Sequence, residues 1–194
     1  MLPEEKRIRT KAQLKEWLAV ECGRYPLSAR RILPYLLQIS EGAILRRHII
    51  LLRTTEYHTN AGHRLRAAWY YLRLMRLQNR YALHIPINTC GKGLMLSHVF
   101  PVCMNGKSTV GEYCRVMPLV SLNGDDSEDR APTVGDHVTL GYNATLIGGI
   151  TLGDHVTVGS GAVVTHSFPE AGVTLVGNPA RVLNKGGAAD AAGK

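Results

Sequence analysis

The chain has 194 residues and a formal net charge of +8, with 45% hydrophobic and 6% aromatic residues. That suffices for one ordinary domain with an extension, and no apolar run approaches the roughly 18 residues of a membrane span. The four cysteines (Cys22, Cys90, Cys103, Cys114) form no CxxC pair and MLPEEKRIRT is followed by no apolar segment, so a zinc ribbon, a small disulfide framework and a secretory leader are excluded, and free thiols in a cytoplasmic protein are expected.

The charge is uneven. Residues 1–82 hold 16 Lys/Arg against 6 Asp/Glu, whereas residues 83–194 hold 7 against 9. The basic part reads as a separate helical module. A helix is predicted over Thr10–Cys22, with Leu14, Trp17 and Leu18 at helical spacing and Gly23 and Pro26 ending it. A second is expected over Ser28–Leu37 and a third from Ser40 to about Tyr57. The fourth is expected over Asn60–Arg80, with Asn60 as N-cap and an apolar stripe of Leu65, Ala68, Trp69, Leu72 and Met75. Arg66, Arg73, Arg76 and Arg80 lie off that stripe. They form either a solvated face or a contact for an acidic partner, such as an anionic membrane surface, an acidic glycan or phosphate groups. No nucleic-acid fold accompanies the charge, so no nucleic-acid partner is expected.

At Leu83 the composition turns to Gly, Val, Thr, Asn and Ser. Val134, Leu140, Leu146, Leu152, Val158 and Val164 recur every six residues, with glycine after four of them and a small or β-branched residue four places on. A period of six belongs to neither a helix nor a long strand. It marks hexapeptide repeats, each a short strand plus a turn of a parallel β-helix. Gly-Asp-His-Val-Thr occurs at 135–139 and again at 153–157, so three-sided coils would stack the two copies about 4.8 Å apart. Backwards, Leu122, Val116 and Val110 keep the phase. Val102, Leu96 and Cys90 are two residues out of register, which places a two-residue excursion at Gly106–Thr109. Asn123–Thr133, with Asp125, Asp126, Glu128 and Asp129, reads as a loop leaving the coil. Thr165–Pro169 reads as a turn, Val173–Val176 as a closing strand, and residues 184–194 as a disordered tail.

Ile85-Pro86, Gly91-Lys92-Gly93-Leu94-Met95-Leu96-Ser97-His98, Asp129-Arg130-Ala131-Pro132, the repeats, Ser160-Gly161-Ala162-Val163-Val164 and Gly177-Asn178-Pro179-Ala180-Arg181 together resemble the hexapeptide-repeat acyltransferases. The likeness is to the branch of serine acetyltransferase and its capsular polysaccharide O-acetyltransferase relatives. It covers about residues 85–183. It implies a mainly β fold, a left-handed parallel β-helix over 83–183 preceded by an α-helical module over 1–82, and a homotrimer with acetyl-CoA in clefts between neighbouring prisms. It also implies direct acetyl transfer with no metal, in which His98 deprotonates the acceptor hydroxyl.

For the co-substrate the resemblance points to Gly141, Tyr142, Gly159 and Ser160 beside the pantetheine arm, and to Ala180 and Arg181 near the phosphates. For the acceptor it leaves His84, Ser97, Asn105, Asp125 and Asp129 as candidates. His137 and His155 occupy equivalent repeat positions and are explained by scaffold repetition. His58 and His63 precede the repeats, where they form no carbonic-anhydrase-like zinc site.

The chain departs from the serine pattern at three positions. Ser97 stands where an aspartate precedes the catalytic histidine, Ala131 where a second histidine is found, and Leu83 where an aspartate lies fifteen residues upstream. The C-terminal isoleucine is also missing. The expectation is therefore an O-acetyltransferase acting on a sugar hydroxyl of a surface polysaccharide or its precursor, cytoplasmic and possibly membrane-associated. The alternatives are a serine O-acetyltransferase of cysteine biosynthesis, a non-catalytic trimeric scaffold and a γ-carbonic-anhydrase-like metalloenzyme.

Overall fold

A computed structural model describes residues 1–26, 40–125 and 130–183. The helix expected over Ser28–Leu37, the tail 184–194 and the loop residues Asp126, Glu128 and Asp129 lie outside the described residues. Among the described residues three α-helices precede the strands: α1 (Lys11–Gly23), α2 (Glu41–Asn60) and α3 (Arg64–Tyr81). Thr10 caps α1 in a reciprocal box with Gln13, and the Ser40 hydroxyl accepts from the Ala43 N–H to start α2.

Asn60 is not the N-cap of α3. It is the last residue of α2, where its side chain exchanges hydrogen bonds with Asn88 at 2.9 and 3.0 Å. The apolar stripe of α3 also faces the other way from a core stripe. Leu65, Trp69 and Leu72 are 89%, 52% and 58% exposed, while Leu74, Leu77 and Gln78 are buried against α2 and the first strand. The inner face needs a polar residue, because Gln78 donates to the Ile85 carbonyl and meets the His48 ring.

Fourteen short strands form three faces. Face one carries β1 (Leu83–His84), β3 (Val102–Met104), β6 (Ser121–Asn123), β9 (Thr145–Ile147) and β12 (Val163–Val164). Face two carries β4 (Thr109–Val110), β7 (Thr133–Val134) and β10 (Thr151–Leu152), and face three β2 (Met95–Leu96), β5 (Arg115–Val116), β8 (Thr139–Leu140), β11 (Thr157–Val158), β13 (Thr174–Val176) and β14 (Arg181–Val182). All pairings are parallel except β13 with β14. The chain thus winds as a parallel β-helix with one aliphatic residue per face pointing inward. Met104, Leu122, Leu146 and Val164 fill face one, Val110, Val134 and Leu152 face two, and Leu96, Val116, Leu140, Val158 and Leu175 face three, none more than 4% exposed. Each such side chain contributes about 1.5–3 kcal/mol by leaving water.

The duplicated Gly-Asp-His-Val-Thr segments stack as expected. Thr139 pairs with Thr157, and the His137 and His155 rings lie 4.7 Å apart and 2° from parallel, with Tyr113 next in the stack at 5.3 Å. The Asp136 carboxylate accepts the Glu112 N–H, and the Asp154 carboxylate accepts the Asp136 N–H. These turn residues hold successive coils together.

The two irregularities fall differently. Met104, not Val102, stacks beneath Leu122, while Leu96 stacks beneath Val116. The two extra residues therefore lie in the turn Ser97–Pro101, not at Gly106–Thr109. The reason is that Val102 fills a second inward position, so both residues are buried and the sequence cannot say which keeps the register. The acidic segment leaves between β6 and β7, where Asp125 and Arg130 pair back to back at its base, N–H to carbonyl, at 2.7 and 3.2 Å.

Helices and coil share one core, with Leu45, Ile49 and Leu52 of α2 and Leu74 and Leu77 of α3 packed in the cluster that contains Leu83 and Ile85. His48 sits fully buried within it, and burial pushes its imidazole down to about 4. The unfolded chain takes up this proton below about 6.5 and the folded one does not, so stability falls as pH falls from about 6.5 towards 4. Urea unfolding is expected to show a loss of about 2 kcal/mol from this group between pH 7 and 5. In His48→Leu that part of the pH dependence disappears; an unchanged slope would contradict the assignment.

Candidate functional site

The site is built on a buried guanidinium. Arg53, at 0% exposure, uses all five N–H groups: Nε and Nη2 donate to Glu21 at 3.0 and 2.8 Å, Nη1 donates to Glu56 at 2.9 Å, and Nη1 and Nη2 donate to the Cys90 and Gly91 carbonyls at 2.8 Å each. The Trp17 ring covers it at 4.8 Å. Burial alone works against the charge, but the two carboxylates hold the guanidinium above its usual pKa. Glu21 also accepts the Gly93 and Leu94 N–H groups at 2.9 and 3.1 Å, and Arg24 donates to the Gly93 carbonyl at 2.7 Å. The Tyr25 hydroxyl donates to the Leu96 carbonyl at 2.6 Å and accepts its N–H at 2.9 Å; burial pushes this phenol up to about 12. Side chains from α1, from the two residues that follow it and from α2 thus fix the backbone from Cys90 to Leu96.

Directly after that segment comes the widened turn with His98. Glu41, the first residue of α2, spans its mouth. One carboxylate oxygen accepts the Val99 N–H at 2.7 Å, and the other lies 3.2 Å from His98 Nδ1. His98 is 55% exposed and its Nε2 bonds to no described residue. A carboxylate that accepts from Nδ1–H leaves the Nε2 lone pair outward, the state in which an imidazole takes a proton. Glu41 thus brings a carboxylate to His98 from outside the coil, whereas Leu83 is wholly buried in the core.

His98 stands at the foot of a straight edge. The residues that follow the face-three strands are in register, with Ser97 bonded to Val116, Met117 to Leu140, Gly141 to Val158 and Gly159 to Leu175, N–H to carbonyl, at 2.7–3.2 Å. Val176 is next above Gly159 and pairs with Arg181. At about 4.8 Å per coil this edge rises roughly 19 Å from Ser97 to Val176. Tyr142, Ser160 and Arg181 are exposed along it, while Ala180 is buried. A Cβ on Gly141 would meet the Val158 carbonyl at 2.5 Å and one on Gly159 the Leu175 carbonyl at 3.0 Å. Coil stacking alone therefore demands glycine at both places.

Of the other acceptor candidates, Ser97 directly precedes His98, while His84, Asn105 and Asp125 lie on other parts of the coil. Ser97 is half-buried at the foot of this edge. His84 lies on β1, paired with Cys103 on face one. Asn105 lies in the turn between faces one and two, where its side chain accepts the Lys107 N–H at 2.8 Å, and Asp125 stands above it at the loop base. Asp129 is outside the described residues. Burial pushes the Cys90 and Cys114 thiols up to about 11 and about 12, which denies either a nucleophilic thiolate. Among the described residues no three metal-ligating side chains converge, and no helix is long and apolar enough to cross a membrane.

Glu41, Tyr25, Glu21 and Arg53 were not foreseen. In the sequence, Ser40-Glu41 is fully explained as a helix start, Glu21 and Arg53 are ordinary helical residues 77 and 45 places from His98, and Tyr25 follows a helix end 73 places away.

The repeat region matches the family model described as bacterial transferase hexapeptide (six repeats) over residues 131–166. The chain is 41% identical over 111 residues to serine acetyltransferase 1, chloroplastic, of Arabidopsis thaliana, covering 56% of this chain and 35% of the relative. It spans about a third of the length of such curated relatives. Its fold resembles a crystal structure of Neisseria gonorrhoeae serine acetyltransferase in complex with serine, with a TM-score of 0.64, 25% identity, and 88% of this chain and 69% of that one covered. A serine acetyltransferase in complex with CoA has a TM-score of 0.57 at 15% identity, with 89% and 71% covered. The expectation of a polysaccharide acceptor is overturned, because relatives at 30–41% identity are described as serine acetyltransferases. The expectation had rested on carboxylates and a histidine absent from the repeats. Glu41 puts a carboxylate on His98 from a helix that a coil-by-coil reading does not reach.

Arg53→Met leaves Glu21 and Glu56 buried without their cation and is expected to cost about 3–5 kcal/mol in chemical denaturation. A cost below about 1 kcal/mol would show that the five bonds do not organise this region.

Proposed function

We propose that the chain is a member of the serine acetyltransferase branch of the hexapeptide-repeat acyltransferases and transfers acetyl from acetyl-CoA to the hydroxyl of L-serine, with His98 as general base, a reading supported by the matched repeats and by the serine acetyltransferase relatives. The observation that carries this is the His98–Glu41 contact at 3.2 Å on an otherwise open imidazole. A purely structural coil has no use for an exposed histidine held by a carboxylate from another element.

Glu41 holds the Nδ1–H tautomer, so Nε2 accepts the serine hydroxyl proton as the oxygen attacks the thioester carbonyl. The tetrahedral adduct collapses, the C–S bond breaks, and the proton on Nε2 passes to the departing thiolate. The products are O-acetyl-L-serine and CoA, and His98 returns to its starting state. The exposed edge from Ser97 to Arg181 suits the extended co-substrate, with its thioester at the His98 end and its phosphates near the Arg181 guanidinium. Tyr142 and Ser160 flank that path. Ser97 lies beside the acceptor position. Asn105 and Asp125 occupy another edge of the prism and would meet His98 only from a neighbouring chain, which favours a trimer of prisms as the working unit. The arginine excess of the helices suits an anionic partner.

Steady-state assay of CoA release and of O-acetyl-L-serine tests the reading. The parent is expected to turn over L-serine, and His98→Ala to lose ~10²–10⁴ in kcat. Glu41→Gln is expected to lower kcat about tenfold or more with KM for acetyl-CoA unchanged, because only the tautomer is disturbed. No turnover of L-serine by a folded protein that binds acetyl-CoA would overturn the proposal, and full activity in His98→Ala would remove that residue from it.

A further inference from the structure

We propose that a cleft in the helical layer is a second ligand site, for a small molecule carrying two or more phosphate groups. The cleft has a volume of about 220 Å³ and is lined by Arg47 of α2 and by Arg73, Arg76, Leu77 and Arg80 of α3. Residues 73, 76, 77 and 80 share one face of α3, and Arg47 approaches from the helix packed against it. Four guanidiniums therefore surround one concave space.

Among the described residues no carboxylate forms an ion pair with any of the four. α3 has no acidic residue, and both acids of α2 are engaged elsewhere, Glu41 at His98 and Glu56 at Arg53. A cluster held only to keep a surface soluble would need neither concavity nor order. Here two members are ordered: the Arg73 guanidinium lies over the Trp69 ring at 4.4 Å and that of Arg80 over Tyr81 at 5.5 Å. Stacking fixes the guanidinium plane and leaves its N–H edge available, as bidentate contact to phosphate requires. Like charges gathered this way repel one another until an anion enters. The buried Leu77 beside them lowers the local dielectric and strengthens that attraction. A single carboxylate would use two of the many donors. Several phosphate oxygens use them all, and the cleft has room for more than one phosphate group.

The site lies apart from His98 and does not rest on the acetyl-transfer reading. Calorimetry with tripolyphosphate at about 0.15 M salt, where diffuse surface attraction is screened, tests it. Saturable binding of one tripolyphosphate per chain is expected, and the double variant Arg73→Gln/Arg76→Gln should weaken it by about tenfold or more. Arg64→Gln/Arg66→Gln, on the same helix but outside the cleft, should leave it unchanged, with circular dichroism verifying that both variants fold. Absence of saturable binding, equal weakening by the two double variants, or loss of binding in Arg181→Ala instead would each overturn the proposal. So would sedimentation with phosphatidylglycerol vesicles that needs the same arginines without any tripolyphosphate binding, since the cleft would then serve a lipid surface.

Discussion

The five hydrogen bonds of Arg53 are the constraint on which the rest depends. A stacked coil draws stability from the coils above and below it. Among the described residues the strand β2 ends its sheet, with β5 on one side and no strand on the other. The backbone groups of the first coil would be left without partners at a buried surface, which is costly. The helices solve this with side chains. Arg53 takes the carbonyls of Cys90 and Gly91, Glu21 the N–H groups of Gly93 and Leu94, and Tyr25 both groups of Leu96. The helical layer is thus the missing coil, assembled from polar side chains.

That origin explains where His98 stands. A turn between two stacked coils is held from above and below and cannot widen freely. The turn Ser97–Pro101 has helices rather than a coil on one side, and it carries the two extra residues. Glu41 reaches it because the N-terminus of α2 lies at that turn, where unpaired helix N–H groups also favour a carboxylate. The regular part of the coil has the complementary task. Its glycines and aliphatic residues are dictated by stacking, so it supplies a straight edge and little chemistry.

The legibility of the molecule follows the range of the interactions. The repeats are local and periodic, and the strands, the inward residues, the stacking of the duplicated segments and the acidic excursion could all be read from them. The starts of α1 near Thr10 and of α2 near Ser40 were equally local. The failures have long-range causes. The stripe of Leu65, Trp69 and Leu72 has a helical period, but the face α3 buries is chosen by Gln78, His48 and the Ile85 carbonyl. The excursion was misplaced because Val102 and Met104 are both buried and only pairing with the next coil ranks them. The acceptor was misjudged because a carboxylate missing from the coil was taken as missing from the site, while Glu41 arrives from 57 residues away.

Through Glu41, the helical layer is proposed to set the protonation geometry of His98. Nitrogen-15 NMR of the neutral His98 ring reads this most directly. The account predicts the tautomer protonated at Nδ1, with Nε2 bare, and its loss in Glu41→Ala. A ring protonated mainly at Nε2, or one whose tautomer ignores the Glu41 substitution, would contradict it.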